Sequence, residues 1–160
     1  MKLQTILNRL QKLHPKEIDL SLDRIKKLCK KLGNPQDNLK YISVVGTNGK
    51  YSTIQAIRAI LKEANINVNI YSSPHIQKIN ERFIFNDEEI SDDSLAKLLT
   101  EVEEINAGEP ITYFEILTAT YFYHAKKFEN INLIETGLFH RFDATNIIKE
   151  NLASIITVIG

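Results

Sequence analysis

Tyr41-Ile42-Ser43-Val44-Val45-Gly46-Thr47-Asn48-Gly49-Lys50-Tyr51-Ser52-Thr53 decides the fold of this chain. Its first five residues are an apolar run that reads as a strand, and Ile54 to Ala64 beyond it reads as a helix. A glycine-bearing turn between strand and helix, closed by a lysine, is a phosphate-binding device. Gly46 and Gly49, flanking Thr47 and Asn48, let backbone N–H groups approach phosphates, and the helix N-terminus adds partial positive charge. Lys50 would contact the terminal phosphates as a mobile cation, and Ser52 or Thr53 would offer a hydroxyl to magnesium. The spacing is not the generic one, which places four residues between the glycines and Ser or Thr directly after the lysine. Here Thr47 and Asn48 alone intervene, and Tyr51 follows Lys50. On the pattern alone, a plain strand-to-helix turn stands beside the phosphate reading, with Gly and Asn serving positive φ and Lys50 solvated.

Working outward, Leu3, Ile6, Leu7, Leu10 and Leu13 recur at helical spacing until Pro15. Ser21 or Asp23 caps a second helix with Ile25, Leu28 and Leu32 on one face, and Gly33-Asn34-Pro35 stops it. On the other side of the turn, Asn67 to Tyr71 reads as a strand, and Phe83-Ile84-Phe85 and Ile90 flank Asn86–Glu89 in a small hairpin. Ser91-Asp92-Asp93 starts a helix whose face is Leu95, Leu98, Leu99, Val102 and Ile105. A further helix is predicted from Phe114 to Lys127, and strands at 131–134 and 154–159. Strands alternating with helices give an α/β fold: a mostly parallel sheet with helices on both faces. We expect a helical N-terminal segment at 1–38 and a core at 39–160.

Ligands of such sheets bind beyond the carboxyl ends of the strands. The turn at Gly46, the segment Ser72 to His75 and the strand-end Glu135 each follow or close a strand, so they meet at one edge although far apart in sequence. The aromatic residues Tyr121, Phe122 and Tyr123 read as core packing; Thr112, Tyr113 and Phe114, before the helix, are the credible ligand contacts. The acidic stretch from Asp87 to Asp93 reads as a solvated turn and helix start.

Composition narrows the class. With 160 residues the chain can bury a real core. Twenty basic and twenty acidic side chains cancel, which argues against a general nucleic-acid or membrane-surface binder. A single cysteine, Cys29, excludes an intrachain disulfide framework and reads as a packed helical side chain. The N-terminus has no secretory apolar core and no run approaches membrane-spanning length. The expectation is a soluble, cytoplasmic protein.

Several motifs resemble one family in order along the chain. Gly46 to Thr53 is similar to the nucleotide loop of folylpolyglutamate and dihydrofolate synthases, relatives of the Mur ligases. Leu13-His14-Pro15 with Ile18-Asp19-Leu20, and Leu32-Gly33-Asn34-Pro35, resemble that family's N-terminal segment. Tyr71-Ser72-Ser73-Pro74-His75 with Asn80-Glu81-Arg82, Thr112-Tyr113-Phe114-Glu115, and Glu135-Thr136-Gly137-Leu138 with Arg141-Phe142-Asp143-Ala144-Thr145-Asn146 resemble later motifs. The resemblance implies a P-loop-like mononucleotide-binding fold of the Mur ligase central domain type, truncated. It implies an ATP-dependent ligase that adds L-glutamate to dihydropteroate or folate through an acyl phosphate. ATP and Mg2+ are the implied cofactors. Lys50 and Glu135 would be catalytic; Ser73 and Glu135, with Ser52, would hold magnesium. Ser73, His75, Arg82, Thr112, Phe114, Arg141, Asp143 and Ala144 would bind substrate. For Glu135 the plain alternative is a strand-end acid bound to backbone N–H groups or a neighbouring lysine. For His75 it is a loop histidine satisfied by hydrogen bonds, and for Asp143 a cap for Ala144 onwards.

The sequence also departs from the family. Tyr51 stands where the family has glycine, and Phe139-His140 where it has a Gly-Gly pair. The chain stops at Gly160, before a metal-ligating histidine, a modified lysine and a second domain that the family carries. The expectation is therefore an incomplete ATP-binding domain, inactive alone. Its rivals are a non-catalytic remnant serving as an interaction module, or half of a split ligase completed by a C-terminal partner chain. Self-association through the edge of strand 154–159 is a further option.

Overall fold

Side chains alternate along Lys40–Val45 (β1), so Ile42 and Val44 meet one layer of helix and Tyr41 another. That alternation organises the whole chain. The computed structural model describes residues 2–13, 21–137 and 142–160. The remaining strands are β2 (Val68–Tyr71), β3 (Phe83–Phe85), β4 (Glu88–Glu89), β5 (Ile131–Glu135) and β6 (Ala153–Ile156). They form one sheet in the order β4-β3-β2-β5-β1-β6. β2, β5, β1 and β6 run parallel, and β3 and β4 add an antiparallel hairpin at one edge.

The helices are α1 (Leu3–Gln11), α2 (Asp23–Lys31), α3 (Lys50–Glu63), α4 (Asp92–Asn106) and α5 (Tyr113–Ala125). Ile54, Ile57 and Leu61 of α3 cover one face of the sheet against Val44, Val68, Ile70 and Leu133. The other four helices cover the opposite face, where Tyr41, Tyr71, Phe83 and Ile134 point. Within that layer α5 packs between the sheet and the outer helices α2 and α4. Every residue from Glu115 to Phe122 is consequently buried. A helix enclosed on all sides needs no polar stripe. Cys29 is fully buried in the same core, and burial pushes its thiol up to about 12, leaving it inert.

Several boundaries differ from expectation. Neither Ser21 nor Asp23 occupies the cap position of α2; Leu22 does, and the Ser21 hydroxyl accepts from the Asp23 N–H at 3.4 Å. The strand expected over 154–159 spans Ala153–Ile156, because the chain beyond it turns toward the Gly46 turn. Helix α1 ends at Gln11, and Pro15 lies outside the described residues.

The acidic stretch is more than a solvated turn. Asn86 and Asp87 both take positive φ, 54° and 66°, as a two-residue hairpin turn requires. Asp87 also accepts from Arg58 Nε of α3 at 2.8 Å and from the Val68 N–H at 3.1 Å. It thus fastens the hairpin to the helix across the sheet edge. Arg58→Ala is expected to cost about 1 kcal/mol, the scale of a partly exposed charged hydrogen bond. Urea denaturation should show a lower midpoint with unchanged slope.

Among the described residues, no helix is long and apolar enough to cross a membrane.

Candidate functional site

The carboxyl ends of β1, β2 and β5 deliver their following residues to one edge. Val44 pairs with Glu135 in the β1–β5 register, so the Gly46 turn and Glu135 emerge side by side. Gly46 and Gly49 have φ of 143° and 83°, a region that disfavours a Cβ. Gly49 caps α3, whose first bond runs from the Thr53 N–H to Gly49 O at 2.9 Å.

The turn is not uniformly open to an anion. The N–H groups of Thr47 and Asn48 donate to Val158 O at 2.9 and 3.3 Å, and the Thr47 hydroxyl reaches Gly160 O at 3.2 Å. The first half of the turn is thus tied to the segment after β6. The anion-facing part is the first turn of α3, where Lys50, Tyr51 and Ser52 have N–H groups with no acceptor inside the helix. Tyr51 is 60% exposed and does not line the cavity at this edge.

Lys50 Nζ donates to Gly46 O at 2.8 Å and lies 3.7 Å from Glu135 Oε1. The Ser73 N–H donates to Glu135 Oε2 at 3.2 Å, and the Ser73–Pro74 bond is cis. Glu135 is 6% exposed. Burial raises its carboxyl above the ordinary range, opposed by the Ser73 N–H, Lys50 and the more distant Arg82. Both partners expected of a plain strand-end acid are therefore present, and they also bring Lys50, Ser73 and Glu135 together. Among the described residues no group of three or more His, Cys, Asp and Glu gathers. The donor set still fits magnesium, which takes one or two carboxylates with hydroxyl, water and phosphate oxygens. Ser52 is exposed on the first turn of α3.

A cavity of about 880 Å³ opens at this edge. Gly46, Thr47, Lys50 and Ser73 line it, and so do Arg82, Thr112, Phe114, Asp143 and Ala144. Thr112 caps α5 by accepting from the Glu115 N–H, and Phe114 stacks on Tyr71 with ring centroids 6.1 Å apart. Asp143 is buried; its Oδ1 accepts from the Thr145 N–H at 2.9 Å and from the Thr145 hydroxyl, the capping role. Its Oδ2 lies over Gly137, where a Cβ would come within 2.3 Å.

His75 sits apart from the cavity. Its Nδ1 accepts from Arg82 Nε at 3.0 Å, and it borders a second cavity of about 860 Å³ with Lys78, Asn80 and Tyr113. It thus reaches the main cavity through Arg82. Arg141 and the Phe139-His140 pair lie outside the described residues.

Sequence reasoning missed three contributors. Arg24 of α2 lines the cavity and pairs with Glu115 at 3.0 Å, across 91 positions that no local pattern connects. Half of this was readable, since Thr112-x-x-Glu115 is a capping-box signature. Phe142, half exposed, also lines the cavity. Thr157 packs against Gly46, a contact created by β6 lying beside β1.

No family model matches the chain. Curated relatives do. The dihydrofolate synthase/folylpolyglutamate synthase of Bacillus subtilis is 38% identical over 87% of this chain and 34% of its own length. That of Haemophilus influenzae is 37% identical over 95% of this chain and 35% of its own length. Among solved structures, Escherichia coli FolC in complex with DHPP and ADP superposes with a TM-score of 0.89 at 31% identity, covering 98% of this chain and 38% of that one. The Yersinia pestis bifunctional folylpolyglutamate synthase/dihydrofolate synthase complexed with AMPPNP and Mn gives 0.88 at 32% identity, covering 97% and 38%. The chain spans a little over a third of the length of these relatives.

Proposed function

Since this chain is a homologue of a portion of the folylpolyglutamate/dihydrofolate synthases, we propose that it supplies the nucleotide loop and the pterin-side pocket of an ATP-dependent glutamate ligase. The observation that carries this is the shared cavity, whose walls hold Gly46, Thr47 and Lys50 together with Thr112, Phe114, Asp143 and Ala144. A nucleotide's phosphates and an elongated carboxylic acid would share that space.

In this reading the first turn of α3 and Lys50 receive the β- and γ-phosphates of ATP. Lys50 exchanges Gly46 O, 2.8 Å away, for a phosphate oxygen. Ser73 and Glu135, with Ser52, would hold magnesium, which would supply positive charge to screen the phosphates. Phe114 stacks on the pterin, and Asp143 accepts from its adjacent N–H donors. The substrate carboxylate oxygen attacks the γ-phosphorus, and ADP leaves. The glutamate amine then attacks the acyl carbon, phosphate leaves, and the nitrogen gives up a proton to solvent. The protein contributes positioning and charge neutralisation. Arg82, held by His75, adds a cation to the cavity wall.

Calorimetric titration of Mg-ATP into the 160-residue protein, with Lys50→Ala alongside, tests the nucleotide half. We expect binding in the chain as given and a loss of about ten- to hundredfold in the variant, the worth of one charge-assisted phosphate contact. No binding to folded protein would favour a non-catalytic module. Because the chain spans a little over a third of its relatives, these 160 residues alone are expected to incorporate no glutamate. ATP-dependent incorporation of labelled glutamate by the purified chain would refute that.

A further inference from the structure

We propose that Arg24 is a positioning residue for the acid-binding half of the cavity, acting through Glu115 on Thr112 and Phe114. The proposal deepens the reading above and rests on it.

Glu115 occupies the third position of α5 and closes a capping box. Its Oε2 accepts from the Thr112 N–H at 2.8 Å, and its own N–H donates to the Thr112 hydroxyl at 3.1 Å. Those two bonds complete a cap on any solvated helix. Here the same Oε2 also accepts from Arg24 Nε at 3.0 Å. The two side chains are 17% and 7% exposed. A buried carboxylate without a cation would be costly, and the guanidinium offsets part of that cost while fixing the carboxylate's direction. The direction matters because Arg24, Glu115, Thr112 and Phe114 all line the cavity. The first turn of α5 carries the Phe114 ring, which lies at 26° to Tyr71. Tyr71 is fully buried in β2, so the ring has a rigid backing on one side. On the other side its position depends on how α5 begins, and α2 sets that through Arg24.

The phosphate-facing groups stand on different elements. Lys50 and Ser52 begin α3, and Glu135 ends β5. Loss of the Arg24–Glu115 pair should therefore separate the two ligands. A role in bulk stability would move both together.

The test uses the 160-residue chain, Arg24→Gln, Arg24→Lys and Glu115→Gln. Dihydropteroate binding is read by fluorescence titration and Mg-ATP binding by calorimetry. Arg24→Gln is expected to weaken dihydropteroate about tenfold or more, the scale of misplaced positioning groups, with Mg-ATP affinity kept within about twofold. Arg24→Lys, which returns a cation without the planar fork, should recover part of the loss. Glu115→Gln keeps an acceptor for the Thr112 N–H and loses the ion pair, so it should weaken dihydropteroate in the same direction. Unchanged dihydropteroate affinity in Arg24→Gln overturns the proposal, and so does an equal loss of both ligands. If the unsubstituted chain binds Mg-ATP but no dihydropteroate, the acid-pocket reading fails first and takes this proposal with it.

Discussion

Glu135→Gln is expected to melt no lower than the unsubstituted chain at pH 7, yet to lose magnesium-dependent nucleotide affinity by at least about tenfold. The two halves share one cause. Glu135 is buried, and burial holds its carboxyl above the ordinary range despite the Ser73 N–H and Lys50. A carboxyl raised in the folded state adds stability while protonated, fully so below its unfolded value, and that stability is lost as pH rises through the folded value. Above that folded value the free protein keeps an ionised acid that folding disfavours. Glutamine retains an acceptor for the Ser73 N–H and carries no charge to bury. Its advantage should shrink as pH falls through the raised range in which the native acid takes up its proton. A bound divalent cation reverses the balance, because it needs the carboxylate that glutamine lacks. Melting curves across that pH range, with and without Mg-ATP, read both effects. A variant that melts well below the parent at pH 7 would make Glu135 a structural acid serving Lys50. A variant that keeps its Mg-ATP affinity would separate the carboxylate from the metal.

Much of this architecture was written locally. Alternation in Tyr41–Val45 and the 3.6-residue period in Leu95–Ile105 each depend on neighbours a few positions away, and both elements formed where their patterns placed them. The hairpin was legible too, although its connection is Asn86-Asp87 and not Asn86–Glu89, because Glu88 and Glu89 pair with β3 as β4. Helix α5 was harder to bound, since a helix enclosed by sheet and helices has no polar face to mark its ends.

The site was legible where a motif carried it and illegible where the sheet order did. Gly46, Lys50, Ser73 and Glu135 were singled out, and strands β1, β2 and β5 bring them to one edge. What could not be read was the other side of each contact. Val158 O takes the Thr47 and Asn48 N–H groups because β6 lies next to β1, a neighbour relation decided 110 residues away from the turn. Arg24 meets Glu115 because α2 packs on α5. The separation of His75 from the cavity has the same origin: its position in sequence placed it beside Ser73, but its ring turned to Arg82.

The contact between the turn and the segment after β6 also makes Gly46 a sensitive backbone position at the site. Gly46→Ala is expected to destabilise the chain by about 3 kcal/mol and to lower Tm by roughly 6–12 °C. Two terms add. At φ 143° an alanine is strained whatever surrounds it. Its Cβ would also stand 2.1 Å from the Thr157 hydroxyl and 3.1 Å from the Thr157 carbonyl carbon. The hydroxyl cannot simply rotate away without cost, because it donates to Val45 O at 3.2 Å while the Thr157 N–H donates to the same oxygen at 2.7 Å. The terms can be separated with Thr157→Ala. Alone it forfeits a hydroxyl bond worth about 1 kcal/mol. Combined with Gly46→Ala it removes the closest clash and leaves the backbone strain and the carbonyl contact. The double variant should therefore be less destabilised than the sum of the singles by about 1–2 kcal/mol. Strict additivity would mean that the hydroxyl clash contributes nothing and that backbone strain and the carbonyl contact explain the glycine. A Gly46→Ala protein with native Tm would mean that in solution the turn takes a φ alanine tolerates and the segment after β6 does not sit against it. In that event the Thr47 and Asn48 N–H groups, released from Val158, would become available to phosphate, and the nucleotide site would be wider than the first turn of α3.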